Sequence, residues 1–407
     1  MQLPIDLITI ASNCEIMLPM PSALTETKAK IIMATTAVMV ASHPPGLAQT
    51  IETKSSNTEE ALQIEEARKA TIKKTGPLKV GLALGGGGAR GAAEVGVLKV
   101  LAKSGIKFDY IVGTSVGAIV GGLYALGMTP ESMQKEFETG KIMKQFMTVP
   151  LKLRLAVAPV MLLPRLLGSK SYDGLYKGNK FRKYLIGNVA KDQIKIENLN
   201  PPFAAIAFNV LDGKPYMIKE GDLGYALQAS SAVPALRKPV EIDGKLFVDG
   251  GVACNLPVKQ CRELGADIVI AVNVDPPFKP DCPDTYRKMG SISRRLLNWA
   301  LYDIDQPQVA SADIVIHPDT TGISLISTSK KDIKHGIAEG ERTARAQLPE
   351  ILAKLKELGV TVSESEQVEP GEQVSETSTI KETAKKAVEN MSDSVRDQDQ
   401  TDQGTKN

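Results

Sequence analysis

The chain has 407 residues, 43% of them apolar and 24% charged, with a formal net charge of +2. There is enough apolar residue for a real core, and neither the weak field nor the 4% aromatic content suits a nucleic-acid partner. Four scattered cysteines (Cys14, Cys254, Cys261, Cys282) and three histidines (His43, His317, His335) exclude a disulfide scaffold and a histidine-rich metal centre, so no metal or other cofactor is expected.

Along residues 1–48, Lys28 and Lys30 precede an apolar stretch over 31–41, and Gly46-Leu47-Ala48 stands before Gln49. A positive flank, a short apolar core and a small-residue exit are the parts of a secretory signal. Export to the periplasm or a membrane surface is therefore expected, and a start at Met17 or Met20 would bring the segment to the amino terminus. The alternative is an amphipathic or disordered leader. The apolar core is shorter than the ~20 residues of a spanning helix. Residues 49–78 read as a polar tether, 79–362 as the globular unit, and 363–407 as an acidic, Ser/Thr-rich tail too poor in apolar residues to fold.

Within the globular part, apolar runs at 79–84, 110–112, 203–209, 246–248, 267–274 and 313–316 read as strands. Helical patterns follow at 92–103, 118–126, 256–264 and 338–358. Such alternation predicts a three-layer α/β/α fold around a mainly parallel sheet covered on both faces.

The first strand ends in GGGGARG, which contains GxGxxG at Gly86, Gly88 and Gly91. A dinucleotide site would also need an acidic residue closing the second strand. That place holds Gly113-Thr114-Ser115-Val116-Gly117, a G-x-S-x-G sequence between strand and helix. In a nucleophile elbow, glycines such as Gly113 and Gly117 permit a tight turn that lifts the serine clear of the sheet. A packing turn is the plainer alternative. An elbow gives the four glycines a purpose, because an attacked ester creates an oxyanion that needs hydrogen-bond donors. The bare amides of Gly87 and Gly88 are the best candidates. Arg90, just beyond, either attracts an anion or braces the loop.

From residue 141 to 170 no acidic residue occurs, while Lys141, Lys144, Lys152, Arg154, Arg165 and Lys170 are interleaved with aliphatics and three prolines. This pattern suits a surface resting on anionic lipid, or a cover over an acyl pocket. Farther on, LFVDGG ends a strand in Asp249, followed by Gly250 and Gly251. That aspartate is placed to face the elbow, or to cap the next turn. His317 also closes a strand and so stays in contention as a base; His335 lies in a charged helical stretch and is expected to be exposed.

GGGGARG, GTSVG and DGG, in this order, resemble the patatin-like phospholipase family, and ALQASSAVPALRKPVEIDGKLFVDGGVACNLPVKQCRELGADIVIAVNV looks like its bacterial members. The resemblance covers about residues 79–358. It implies the patatin-like fold and a Ser-Asp dyad, with Ser115 as acyl-forming nucleophile and Asp249 as general base. It also implies an oxyanion loop of Gly86, Gly87, Gly88 and Arg90, supported by Gly91, Gly113, Gly117, Gly250 and Gly251. The implied substrate is a phospholipid or lysophospholipid, hydrolysed with no cofactor. Glu94 departs from the histidine of many bacterial relatives, with little effect expected on the chemistry. Acyl transfer by the same residues, or a non-catalytic lipid-binding regulatory module, are the competing functions.

Overall fold

The computed structural model describes residues 76–146, 172–187 and 194–362, all within the compact unit Ile64–Asn407. The expected signal segment, the tether up to residue 75, residues 147–170 of the basic stretch and the acidic tail lie outside these residues.

The first half of the described chain runs β1 (Val80–Leu84), α1 (Ala92–Lys103), β2 (Tyr110–Thr114), α2 (Val116–Ala125), α3 (Pro130–Glu138), α4 (Lys141–Phe146) and α5 (Asn179–Gly187). There follow β3 (Phe203–Asn209), β4 (Lys214–Ile218), α6 (Leu223–Ser230), β5 (Val240–Ile242), β6 (Lys245–Asp249), α7 (Val258–Leu264), β7 (Ile268–Val272), α8 (Ser291–Ser311), β8 (Ile314–Ile316) and α9 (Lys330–Glu357). One sheet takes the order β5-β6-β3-β2-β1-β7-β8, with β4 also paired to β3. From β3 to β8 the neighbours are parallel; β4, β5 and β6 pair antiparallel.

The strands read as near-continuous apolar runs because both faces are covered. In β1 every residue is buried. Val80, Leu82 and Leu84 join one core with residues of α1, α2 and α9, while Ala83 joins the opposite core with Val258 and Cys261 of α7. This period of two places a helical layer on each face and gives the α/β/α sandwich its three layers. On one face α1 and α9 pack backbone to backbone. A Cβ on Gly96 would stand 2.1 Å from the Ile337 carbonyl oxygen, and one on Gly340 would stand 2.0 Å from that of Ala93.

The strand registers bring the two motif ends together. β2 ends with Thr114 opposite Ile206 of β3, running parallel to it. β6 arrives antiparallel and ends with Asp249 opposite Ala207, the next residue of β3. The register of β4 spans Ala205 to Asn209 and overlaps both, so it occupies the other edge of β3. β2 and β6 thus meet head to head along a single edge, and the residues that leave them there are Ser115 and Asp249.

Candidate active site

Ser115 stands between β2 and α2 with φ 54 and ψ −117, one of three non-glycine residues with positive φ among the described ones. A conformation of that kind is sparsely populated for L-residues and persists only where the surroundings enforce it. Here the Ser115 amide donates to Ser230 Oγ at 2.8 Å, and Ser230 Oγ donates onward to the Ile206 carbonyl at 2.6 Å. Close approach fixes the flanking glycines: a Cβ on Gly113 would lie 2.3 Å from the Gly117 oxygen, and one on Gly117 2.5 Å from the Gly85 oxygen. Gly91 faces Val116 and Gly250 faces Ile206 with as little room, and Gly251 lies beside Asn255.

From the elbow, Ser115 Oγ donates to Asp249 Oδ2 at 2.6 Å, with both residues buried. Asp249 Oδ1 accepts from the Gly251 amide at 2.9 Å, so the aspartate both caps its own turn and faces the serine. Burial pushes the Asp249 carboxyl up to about 6, against the Ser115 hydroxyl, the Gly251 amide and the Arg237 guanidinium, each of which favours the anion. Arg237 is itself buried, 4.5 Å above the ring of Phe146 and 4.7 Å above that of Phe181, and its Nη1 and Nη2 have no hydrogen-bond partner among the described residues. Desolvation lowers its pKa to about 10, which leaves it cationic beside the carboxylate at neutral pH.

The glycine loop divides by function. The Gly86 amide donates to the Asn255 carbonyl at 3.1 Å, and Ala89 and Arg90 use theirs on Leu325 and Gly87. The amides of Gly87 and Gly88 have no acceptor among the described residues and remain for a ligand. A Cβ on Gly86 would lie 3.5 Å from the Ser115 Cβ, so the loop abuts the serine. Gly88 adopts φ +56 with the Leu325 carbonyl beneath it, which only glycine accommodates.

Two expected members of the oxyanion loop therefore serve it from behind. Gly86 has its donor occupied. Arg90 forms a buried ion pair with Asp275 at 2.6 Å, donates from Nε to the Ile323 carbonyl at 3.0 Å, and reaches Asn298 at 3.4 Å. A buried cation is held where fixed acceptors compensate its lost hydration, and those acceptors lie behind the loop. Asp275 also accepts from Asn255 Nδ2, which donates to Asp305 as well. Asp305 in turn accepts from the Leu256 amide. This network ties the glycine loop to the segment after Asp249, and desolvation raises both carboxyls, that of Asp305 to about 7. Sequence reading assigned no role to Ser230, Asn255, Asp275 or Asp305. A polar residue inside an otherwise apolar stretch, as in QASSAVP and ACNLPV, was the available signal.

The two described histidines, His317 and His335, stand elsewhere. His317 Nε2 contacts the Asp275 carbonyl at 2.6 Å, and His335 is exposed on α9. Among the described cysteines, Cys254 and Cys261 are buried and Cys282 is exposed.

Glu94 is fully buried in α1, and among the described residues neither carboxylate oxygen makes a well-formed hydrogen bond; only the nearby Gly85 backbone favours its anion. Desolvation holds its pKa well above the ordinary 4.5, so the folded protein carries it neutral where the unfolded chain ionises it. Stability from this group is present at pH below about 4.5 and is lost as pH rises toward the folded pKa. Thermal melts of Glu94→Gln should therefore show a shallower decline with rising pH than wild type; an identical slope would contradict the assignment.

Residues 82–262 match the family model described as patatin-like phospholipase. An uncharacterised NTE family protein of Mycobacterium tuberculosis is 34% identical over 197 residues, which cover 48% of this chain and 49% of the relative. Patatin-like phospholipase domain-containing protein 7 of Mus musculus is 33% identical over 198 residues, covering 48% of this chain but 13% of that protein. The matched span is thus about half the length of the mycobacterial relative. Among solved structures, human GIVD cytosolic phospholipase A2 aligns with a TM-score of 0.40 and 13% identity, over 74% of this chain and 64% of that one. VipD from Legionella pneumophila aligns at 0.38 and 13%, over 68% and 67%.

Proposed function

Residues 82–262 belong to the patatin-like phospholipase family, and from that membership we propose that the protein is a serine acyl hydrolase of phospholipid or lysophospholipid esters. The observation that carries the reading is the 2.6 Å contact between Ser115 Oγ and Asp249 Oδ2 at a turn of positive φ.

In the proposed reaction the Asp249 carboxylate takes the Ser115 proton while Oγ attacks the ester carbonyl. The resulting oxyanion accepts hydrogen bonds from the Gly87 and Gly88 amides, and the positive end of α2 adds to the local potential. Collapse expels the lipid alcohol, which takes the proton from Asp249 and leaves an acyl-Ser115 ester. Water then gives a proton to Asp249 and attacks that ester. A fatty acid departs, and the proton returns to Ser115. Replacing water by an acceptor alcohol would turn the same sequence into acyl transfer. Lipid product analysis in the presence of a lysophospholipid acceptor separates the two: the proposal expects free fatty acid to dominate. Newly acylated acceptor in its place would assign the chain to transfer, and no product of either kind from the folded protein would refute both.

The base must be ionised to act. With Asp249 at about 6, activity on a soluble ester should rise as pH passes upward through that value and then level off. A rise centred on the ordinary 3.8 of an exposed aspartate would contradict a buried base.

A further inference from the structure

We propose that the amino-terminal half of α8 is a docking surface for an anionic bilayer. The purpose of that surface, delivery of lipid to Ser115, rests on the hydrolase reading; its physical basis does not. Ile292, Leu296 and Trp299 recur at i, i+4 and i+7, so they form one stripe along the helix. Each is between 48% and 59% exposed, and Met289 in the preceding turn is fully exposed. The helix is held in the protein along a line about a third of a turn away, through buried Ser291 and Asp305, and Leu297, also 48% exposed, lies outside both. Single exposed aliphatics are ordinary, but a row of them on one helix marks a contact surface.

The rim decides the occupant. Between Asp284 and Asp303 there is no carboxylate, while Arg287, Lys288, Arg294 and Arg295 all fall there. Arg287 pairs with Asp284, and Arg295 stacks on Phe278 at 3.5 Å. The side chains of Lys288 and Arg294 have no ion pair among the described residues. A second copy of this face would bring like charges together in a two-fold contact. Anionic headgroups complement it, and an amphipathic helix with a basic rim and an apolar stripe lies in the plane of the headgroups. No helix among the described residues is long and apolar enough to cross a membrane. The inner face of α8 also touches the catalytic frame: Asn298 meets Arg90, and Asp305 holds Asn255 and Leu256. A bilayer seated on the outer face would thus lie against the helix that braces the loops on either side of Ser115.

Trp299 is the chain's single tryptophan, so the surface carries its own reporter. The full-length Ser115→Ala protein should be titrated with vesicles of phosphatidylcholine alone and of phosphatidylcholine with phosphatidylglycerol. The anionic vesicles should bind better, shift Trp299 emission to the blue, and quench it when their acyl chains are brominated. Ile292→Asp with Leu296→Asp should weaken partitioning roughly tenfold or more. Lys288→Glu with Arg294→Glu should weaken it in low salt and matter less as salt is raised. In the Ser115-intact protein, these four substitutions should leave hydrolysis of a small soluble ester unchanged. Binding without any change at Trp299 would overturn the proposal and move the contact elsewhere; loss of that binding in Lys152→Glu with Arg154→Glu would place it in residues 141–170. A blue shift that grows with protein concentration in the absence of lipid would overturn it in favour of self-association. Absence of vesicle binding would overturn it outright. An inactive wild type that still binds vesicles through Trp299 would count against the hydrolase reading and leave the docking surface standing.

Discussion

Ser115→Ala is expected to remove ester hydrolysis almost entirely, by a factor on the order of 10⁶ if the serine is the only nucleophile. The fold should survive, because alanine accepts the same turn no worse than serine and Ser230 still receives the backbone amide at 2.8 Å. A companion variant separates chemistry from strain. Positive φ costs a non-glycine residue ~1–3 kcal/mol, which glycine does not incur. Ser115→Gly should therefore be equally inactive but melt above Ser115→Ala. Retained turnover in either folded variant would sink the serine-nucleophile reading. A Ser115→Gly that melted below Ser115→Ala would contradict the strained elbow.

Asp249→Asn is expected to lower activity by ~10²–10⁴, the usual reach of a general base. Its effect on stability should run the other way. The ordinary aspartate value is 3.8 and the folded value about 6, so the folded state holds the proton through a window where the unfolded chain has lost it. Stability from Asp249 is therefore full below 3.8 and lost as pH rises through about 6. Asparagine cannot ionise, and at alkaline pH Asp249→Asn should melt no lower than wild type while remaining nearly inactive. His317→Ala should keep most activity, since its ring contacts the Asp275 carbonyl behind the glycine loop. A crippled His317→Ala beside a mild Asp249→Asn would replace the dyad with a histidine-based site.

Elements whose pattern is local and faces one core were legible in the sequence. β3 and α1 fall on the expected bounds of 203–209 and 92–103. α9 was expected at 338–358 but begins at Lys330, where Ser329 caps it by accepting from the Asp332 amide. Its first turns alternate charges with Gly336 and Gly340, which hides the apolar face; the Ser-x-x-Asp cap was the overlooked signal. α6 is short and nearly all buried, so it shows no helical periodicity. α8 has the reverse difficulty. Its apolar stripe points outward, and a rule that turns apolar residues inward has no reading for it. β4 and β5 are edge strands with partly exposed residues, and neither shows a continuous apolar run.

The same division holds at the site. Glycine turns and a strand-ending serine or aspartate are written in a few adjacent residues, so Ser115 and Asp249 were named with their neighbours. Their encounter depends on two strands meeting on one edge of β3, which no short stretch encodes. The direction of Arg90 was likewise hidden, because its partner Asp275 lies 185 residues away. Arg237 carries no motif, and its nearness to Asp249 emerges only when α4 and α5 bring Phe146 and Phe181 against it.

The dyad is tested most directly by reacting the full-length protein with a fluorophosphonate probe across a range of pH and mapping the adduct by peptide mass spectrometry. The phosphorus accepts attack from an activated serine, and its oxygen then occupies the place of the oxyanion. The expected result is a single adduct on Ser115, with labelling that accelerates as pH rises through about 6 and is nearly abolished in Asp249→Asn. An adduct on another serine, or labelling of Ser115 at an undiminished rate in Asp249→Asn, would contradict the Ser115–Asp249 dyad.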